Sequence, residues 1–356
     1  MIDTGANASA AGADEGATVR AFAPGRVNLI GEHTDYTGGL ALPMAIDLGT
    51  TVVGRRTTDG RVLLRSADQP EPADVPIDVG DPASVTPAWA RYVAGVVHEL
   101  APGAGFAGTV TTTIPIGSGL SSSAALELAV ALALGFDGAP TELAALGQRA
   151  EQLASGVPCG LMDQWASAAG LDGHCLLLDF TAETAVPVPV PEDIAIVVVH
   201  SGQDRTLVGS AYGDRRAACE AAAASIGPLR DAELDAVATI ADPVVRRRAR
   251  HVVTENARVV QFVSALRDGD TAGAGQLMIE SHRSLRDDFE VSTDALDQLV
   301  DRLVATPGVH GARLTGAGFG GCVIALTEPT ALEEGWTVRA CSGARLLTDP
   351  INASSS

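Results

Sequence analysis

The chain has 356 residues, a formal net charge of −20, and 46% hydrophobic against 19% charged residues. That length holds two domains or one two-lobed unit. The composition excludes a disordered chain, and the acidic balance excludes a nucleic-acid or anionic-membrane surface, which needs a basic footprint.

In chain order, residues 1–17 are rich in Ala, Gly, Asp and Asn and read as a disordered leader. Residues 19–23 read as a strand ending in a Pro24-Gly25 turn, with further strands at 49–56, 61–66 and 109–114. Residues 68–87 read as a surface excursion rich in Pro and Asp. Helices are expected at 121–134 and at 141–154, the second capped by Thr141. Strands at 173–179 and 194–200 are separated by a Pro-rich crossing at 186–191, the expected domain boundary. Helical stretches then fill 210–266 and 271–286, followed by a strand, glycine loop and strand at 311–326. This mixed order predicts an α+β protein rather than a regular βαβ array.

Five cysteines without a CxxC give no zinc signature and suit a reducing cytoplasm. There is no basic segment followed by an apolar stretch at the N-terminus, and the apolar run 124–134 is too short to span a bilayer. The expectation is a soluble cytoplasmic protein without nucleic-acid or membrane partners, and a monomer.

Residues Ile116-Gly117-Ser118-Gly119-Leu120-Ser121-Ser122-Ser123 form a glycine turn running into a helix. Glycines let the backbone approach a ligand, and the helix start offers free N–H groups and a positive dipole end to an anion. It is not a Walker A loop, since the Gly-Lys-Ser/Thr ending is absent and all 24 basic residues are arginine. Taken alone, these features equally describe a Ser-capped core helix.

Three more segments stand out. Residues 23–36 gather Arg26, Glu32, His33, Thr34 and Asp35 around Gly25 and Gly31, a pattern suited to recognising several hydroxyl groups because ionised carboxylates accept multiple hydrogen bonds. Asp163 follows Glu151 in a stretch of apolar and small residues, where a lone charge is costly unless used or paired. Residues 314–322 form a second glycine-rich loop.

Together these segments resemble the GHMP kinase superfamily, and residues 26–35 resemble the signature of its galactokinase family. The stretches 206–212, 250–256, 280–282 and 286–289 are similar to that family too. The resemblance implies an N-terminal α+β domain (18–190) and a ferredoxin-like C-terminal domain (191–350), with the active site between them. It implies ATP-dependent phosphorylation of the anomeric C1 hydroxyl of galactose. By the same resemblance Asp163 and Arg26 are catalytic, and Glu32, His33, Thr34, Asp35 and Tyr212 bind the sugar. Gly117, Ser118, Gly119, Leu120, Ser121, Ser122 and Ser123 hold the phosphates of ATP, Ser66 lies near the base, and Ser123 with Glu151 holds Mg2+. The residues leave two alternatives open: a relative acting on another sugar or a cyclitol, such as N-acetylgalactosamine, and a sugar sensor that transfers nothing.

Overall fold

A computed structural model describes residues 17–115, 117–203 and 208–348, with side chains 208–210 excepted. The expected leader lies almost wholly outside these residues. The first half runs β1 (Val19–Asn28), β2 (Leu40–Ala41), β3 (Pro43–Thr57), β4 (Arg61–Ser66), β5 (Ala73–Pro76), α1 (Ala90–Leu100), β6 (Gly105–Thr112), α2 (Ser122–Ala133), α3 (Pro140–Ser155), α4 (Met162–Ala169), β7 (His174–Asp179) and β8 (Thr184–Pro189). The second runs β9 (Ala195–His200), α5 (Val208–Ile226), α6 (Leu234–Ala238), α7 (Pro243–Asp268), α8 (Thr271–Asp287), α9 (Asp294–Val304), β10 (Val309–Leu314), β11 (Cys322–Thr327), β12 (Trp336–Val338) and β13 (Arg345–Leu346). Among the described residues, no helix is long and apolar enough to cross a membrane.

A six-stranded sheet ordered β13-β1-β3-β6-β4-β5 carries the first half, with a small β2-β7-β8 sheet beside it. A four-stranded antiparallel sheet ordered β10-β11-β9-β12 carries the second. This is the expected α+β arrangement. α2 is apolar around most of its surface and buries Ala124, Ala125, Leu128 and Ala129, as a helix packed on several sides must. Val27, Leu29, Leu120 and Ala125 from the first half share one apolar cluster with Ile196, Val259, Phe262 and Ile324 from the second. The halves are therefore joined by core, not only by chain. β13 also returns to pair with β1, Ala21 opposite Leu346.

Several expectations are corrected. β1 does not stop at Pro24-Gly25 but passes through it with a register shift against β3 between Pro24 and Arg26. The start of α3 is capped not by Thr141 but around Ala139, whose N–H donates to Glu142 Oε2 at 2.7 Å, with Pro140 in the first turn. The Pro-rich crossing is largely strand β8. Val190 N–H donates to Gly173 O at 3.0 Å, so even-numbered positions face β7. Pro187 and Pro189 thus place their missing donors on the sheet's open edge. The 68–87 excursion contains β5.

Candidate active site

β1 delivers the first functional side chain. Gly25 has no Cβ, and one added there would lie 2.5 Å from Leu120 O, so only glycine admits the loop this closely. The next residue, Arg26, donates its backbone N–H to that same oxygen at 3.1 Å. Its buried guanidinium reaches Gly119 O through Nη1 at 2.9 Å and Asp163 Oδ1 through Nε and Nη2 at 2.9 and 2.6 Å. Asp163 sits in the first turn of α4. Its other oxygen accepts the Ser121 hydroxyl at 2.5 Å.

The loop before α2 turns through Gly117 (φ 74°), Gly119 (φ 73°) and Ser121 (φ 59°). Ser121 precedes the helix without capping it, because its hydroxyl goes to Asp163 instead. The first N–H groups of α2 therefore receive no side-chain cap from Ser121, an arrangement able to accept an anion. Ser118 is buried and the Leu120 side chain is core, so Leu120 can offer a ligand only its backbone. Ile116 lies outside the described residues.

Two cavities meet at Tyr92, which lines both. The first, of about 270 Å3, is lined by Arg26, Glu32, His33, Asp35, Glu151, Asp163 and Tyr212. The second, of about 290 Å3, is lined by Ser66, Trp89, Ile114, Ser122 and Ser123. Of the predicted residues, Arg26, Glu32, His33, Asp35, Glu151, Asp163 and Tyr212 line the first space and Ser66, Ser122 and Ser123 the second, while Thr34 and Gly117 to Ser121 line neither.

Burial sets the chemistry of the first cavity. It pushes the Asp35 carboxyl up to about 6, aided by the Asp163 charge. It holds His33 neutral, down to about 3. The Nε2 of His33 faces Ala317 O at 3.2 Å and Nδ1 faces the Tyr36 hydroxyl at 3.0 Å, so Nε2 carries the proton and Nδ1 accepts. Glu32 is raised by burial, and its Oε1 accepts Gly316 N–H at 2.6 Å. Glu151 is raised by burial and then by Asp163; its Oε1 accepts the Ser123 hydroxyl at 2.9 Å.

Thr34 does not line the cavity: its hydroxyl lies 2.9 Å from Gly31 O and 2.7 Å from Leu40 O, which shapes the loop's own backbone. Thr206 and Leu207 lie outside the described residues. Tyr92, Gly160, Gly316 and Ala317 line the cavity without having been singled out as site residues. The glycine loop at 314–322 was the available signal for the last two. Tyr92, far from every motif, offered none. Gln164 was missed as well; its Nε2 donates to Glu151 Oε2 and, at 3.1 Å, to buried Glu127.

Comparison with known proteins places the chain in a family. The galactokinase galactose-binding signature matches residues 9–56, the GHMP kinases N-terminal domain residues 91–171, and the GHMP kinases C-terminal domain residues 262–337. The chain is 45% identical over 328 residues to the galactokinase of Homo sapiens, covering 87% of this chain and 83% of that protein. It is 45% identical over 330 residues to that of Bos taurus, with the same coverage. The crystal structure of Lactococcus lactis galactokinase complexed with galactose superposes with a TM-score of 0.86 at 33% identity, covering 94% of this chain and 96% of the other. Methanococcus jannaschii mevalonate kinase shares the fold, with a TM-score of 0.67 at 21% identity over 92% of this chain and 99% of its own.

Proposed function

The chain belongs to the galactokinase family of GHMP kinases, and from that premise we propose that it transfers the γ-phosphoryl group of ATP to the C1 hydroxyl of galactose, with Asp163 and Arg26 at the point of transfer. The observation that carries the assignment is that one carboxylate, Asp163, is held by Arg26 on one oxygen and by the α2 loop on the other, at the edge of an acidic, hydroxyl-accepting cavity.

Phosphoryl transfer passes through a loose transition state, so the attacking hydroxyl needs little prior deprotonation. Asp163 orients that hydroxyl and accepts its proton late, while Arg26 stabilises the developing charge. Glu32, His33, Asp35 and Tyr212 receive the remaining sugar hydroxyls. Free N–H groups at the start of α2 receive phosphate oxygens, and the cleft lined by Ser66 and Trp89 receives the base.

Mg2+ fits the pair Ser123 and Glu151. Both present hard oxygen donors 2.9 Å apart, and a cation there relieves a carboxylate that burial and Asp163 disfavour. No group of three or more His, Cys, Asp or Glu side chains suited to a metal occurs among the described residues. Two protein ligands nevertheless suit Mg2+, which keeps waters and substrate phosphates. When bound, it supplies charge neutralisation to the triphosphate.

The test is a panel of galactose, N-acetylgalactosamine, glucose and a cyclitol, read by coupled ADP release and by thermal shift with and without nucleotide. Galactose is expected to give the highest kcat/KM. Stabilisation by galactose without ADP release would identify a sensor and overturn the reading.

A further inference from the structure

Arg313 on β10 is wholly buried behind the sugar end of the cavity. Its Nη1 donates to Asn28 O at 3.1 Å, while Nη2 lies 3.8 Å from Glu32 Oε1 and 4.0 Å from Glu255 Oε1. Nε and Nη2 make no hydrogen bond, so that part of the guanidinium serves as a charge rather than as a fork. Glu255, on α7, is otherwise engaged: it accepts Gly31 N–H at 3.0 Å and the Ser281 hydroxyl at 2.6 Å, and it pairs with Arg258 at 2.8 Å. Glu255 thus has a nearer cation of its own in Arg258, and although Arg313 also lowers Glu255, Glu32 is the leading partner of the Arg313 charge.

We infer that Arg313 is a positioning residue for the sugar: it keeps Glu32 an ionised, acceptor-only carboxylate at the cavity wall, and through it sets the affinity for galactose. This rests on the proposed role of Glu32 as a sugar-hydroxyl acceptor. Burial pushes Glu32 up, and Arg313 is the leading opposing influence, ahead of Arg26 and the Gly316 N–H. The other groups around it do not replace that charge. His251 on α7 donates to Glu32 O but is held neutral by burial, at about 4. His33 is neutral too, Asp35 and Glu255 are acidic, and His282 on α8, behind Arg313, is also lowered. The segments 250–256 and 280–282, singled out in the sequence without a role, supply His251, Glu255 and Ser281 to this assembly.

The experiment is galactose affinity by calorimetry from pH 6.5 to 9, with ADP affinity as the control for an intact fold. Wild-type protein that binds no galactose would sink the functional reading itself. With binding established, Arg313→Met is expected to weaken galactose roughly 10- to 100-fold at pH 7, the scale of a lost charge-assisted hydrogen bond. The affinity should recover as rising pH ionises Glu32, and ADP affinity should be unchanged. Arg313→Lys is expected to restore a nearly flat profile. A loss independent of pH, or no loss, would overturn the inference. Glu32→Gln and Glu32→Gln/Arg313→Met keep the question open to test should the single Arg313 variant not fold, because the double variant leaves no unpaired charge at Glu32. The two are expected to bind galactose equally weakly, and a further loss of more than roughly 3-fold in the double variant, well beyond ordinary non-additivity, would refute the coupling.

Discussion

Asp163 has both oxygens engaged, Oδ1 by Arg26 and Oδ2 by the Ser121 hydroxyl at 2.5 Å. One carboxylate therefore ties β1, the loop before α2 and α4 together, and in the proposed role it reaches the sugar only by sharing these bonds. Asp163→Asn is expected to lower kcat roughly 10²–10⁴-fold, the range of a lost general base. Galactose binding should stay within a few-fold of wild type. Turnover by ADP release and galactose binding by calorimetry check the two halves, and wild-type kcat in this variant would refute the role.

Asp35 gives a pH signature. Its carboxyl is raised to about 6, so the acceptor form is lost as pH falls through that value. The kcat/KM for galactose is expected to drop about tenfold per pH unit below pH 6, as for one essential ionised group. Asp35→Asn should lower the plateau and remove this limb, as a pH–rate profile of both proteins would show.

Gly160 protects the same carboxylate. A Cβ added there would fall 1.6 Å from Asp35 Oδ2, so Gly160→Ala must move Asp35. The expected result is a galactose KM raised roughly 10-fold or more, the scale of a displaced charged hydrogen bond, with ADP affinity unchanged. A galactose titration beside an ADP titration separates the two.

His251 contributes to acid sensitivity. Burial lowers it from 6.5 to about 4, so the unfolded chain takes up its proton first. Its contribution to stability is complete above about pH 6.5 and is lost as pH falls towards 4. His251→Gln is expected to be less stable at pH 7.5. Between pH 6.5 and 4.5 its stability should fall less steeply than wild type, by about 1.4 kcal/mol per pH unit. Urea unfolding at a series of pH values measures the difference, and parallel curves would show that His251 takes up its proton at the same pH in the folded and unfolded chain.

Ser123 tests the proposed cation site. Ser123→Ala removes the hydroxyl that Glu151 accepts, and the half-saturating Mg2+ concentration is expected to rise about 3- to 10-fold, the scale of one neutral ligand. Chelation should abolish ADP release in both proteins, and Mn2+ binding in the presence of ADP, followed by electron paramagnetic resonance, checks the affinity apart from turnover.

What was legible in the sequence was local. The 23–36 and 117–123 segments put their chemistry within a few residues, and glycines there mark real turns and close approaches. α1 was missed although Val93, Val96 and Val97 repeat at helical spacing and are all buried, so its signal was present. α4 was missed because only eight residues follow the Gly- and Pro-rich stretch before it, too few for a period to emerge. The prolines of β8 misled because their common parity matters only once an open edge is known to exist. Arg313, Tyr92 and Gln164 were beyond reach for another reason: their places are set only in the fold, where Arg313 meets Asn28 and Glu32, Gln164 meets Glu127 and Glu151, and Tyr92 stands between the two cavities.

The strand pairing at β13 bears on the order in which the chain can finish folding. Residues 341–347 lace back onto the first half, with Cys341, Gly343, Ala344 and Leu347 donating N–H groups to Ala45, Gly170, Ser167 and Arg20. During synthesis the edge of β1 stays open until this stretch leaves the ribosome, although the rest of its sheet has long been available. An open edge invites pairing with other chains. A chain released at residue 339 should consequently be recovered aggregated, and a synthetic peptide of residues 340–348 added in trans should reduce that loss.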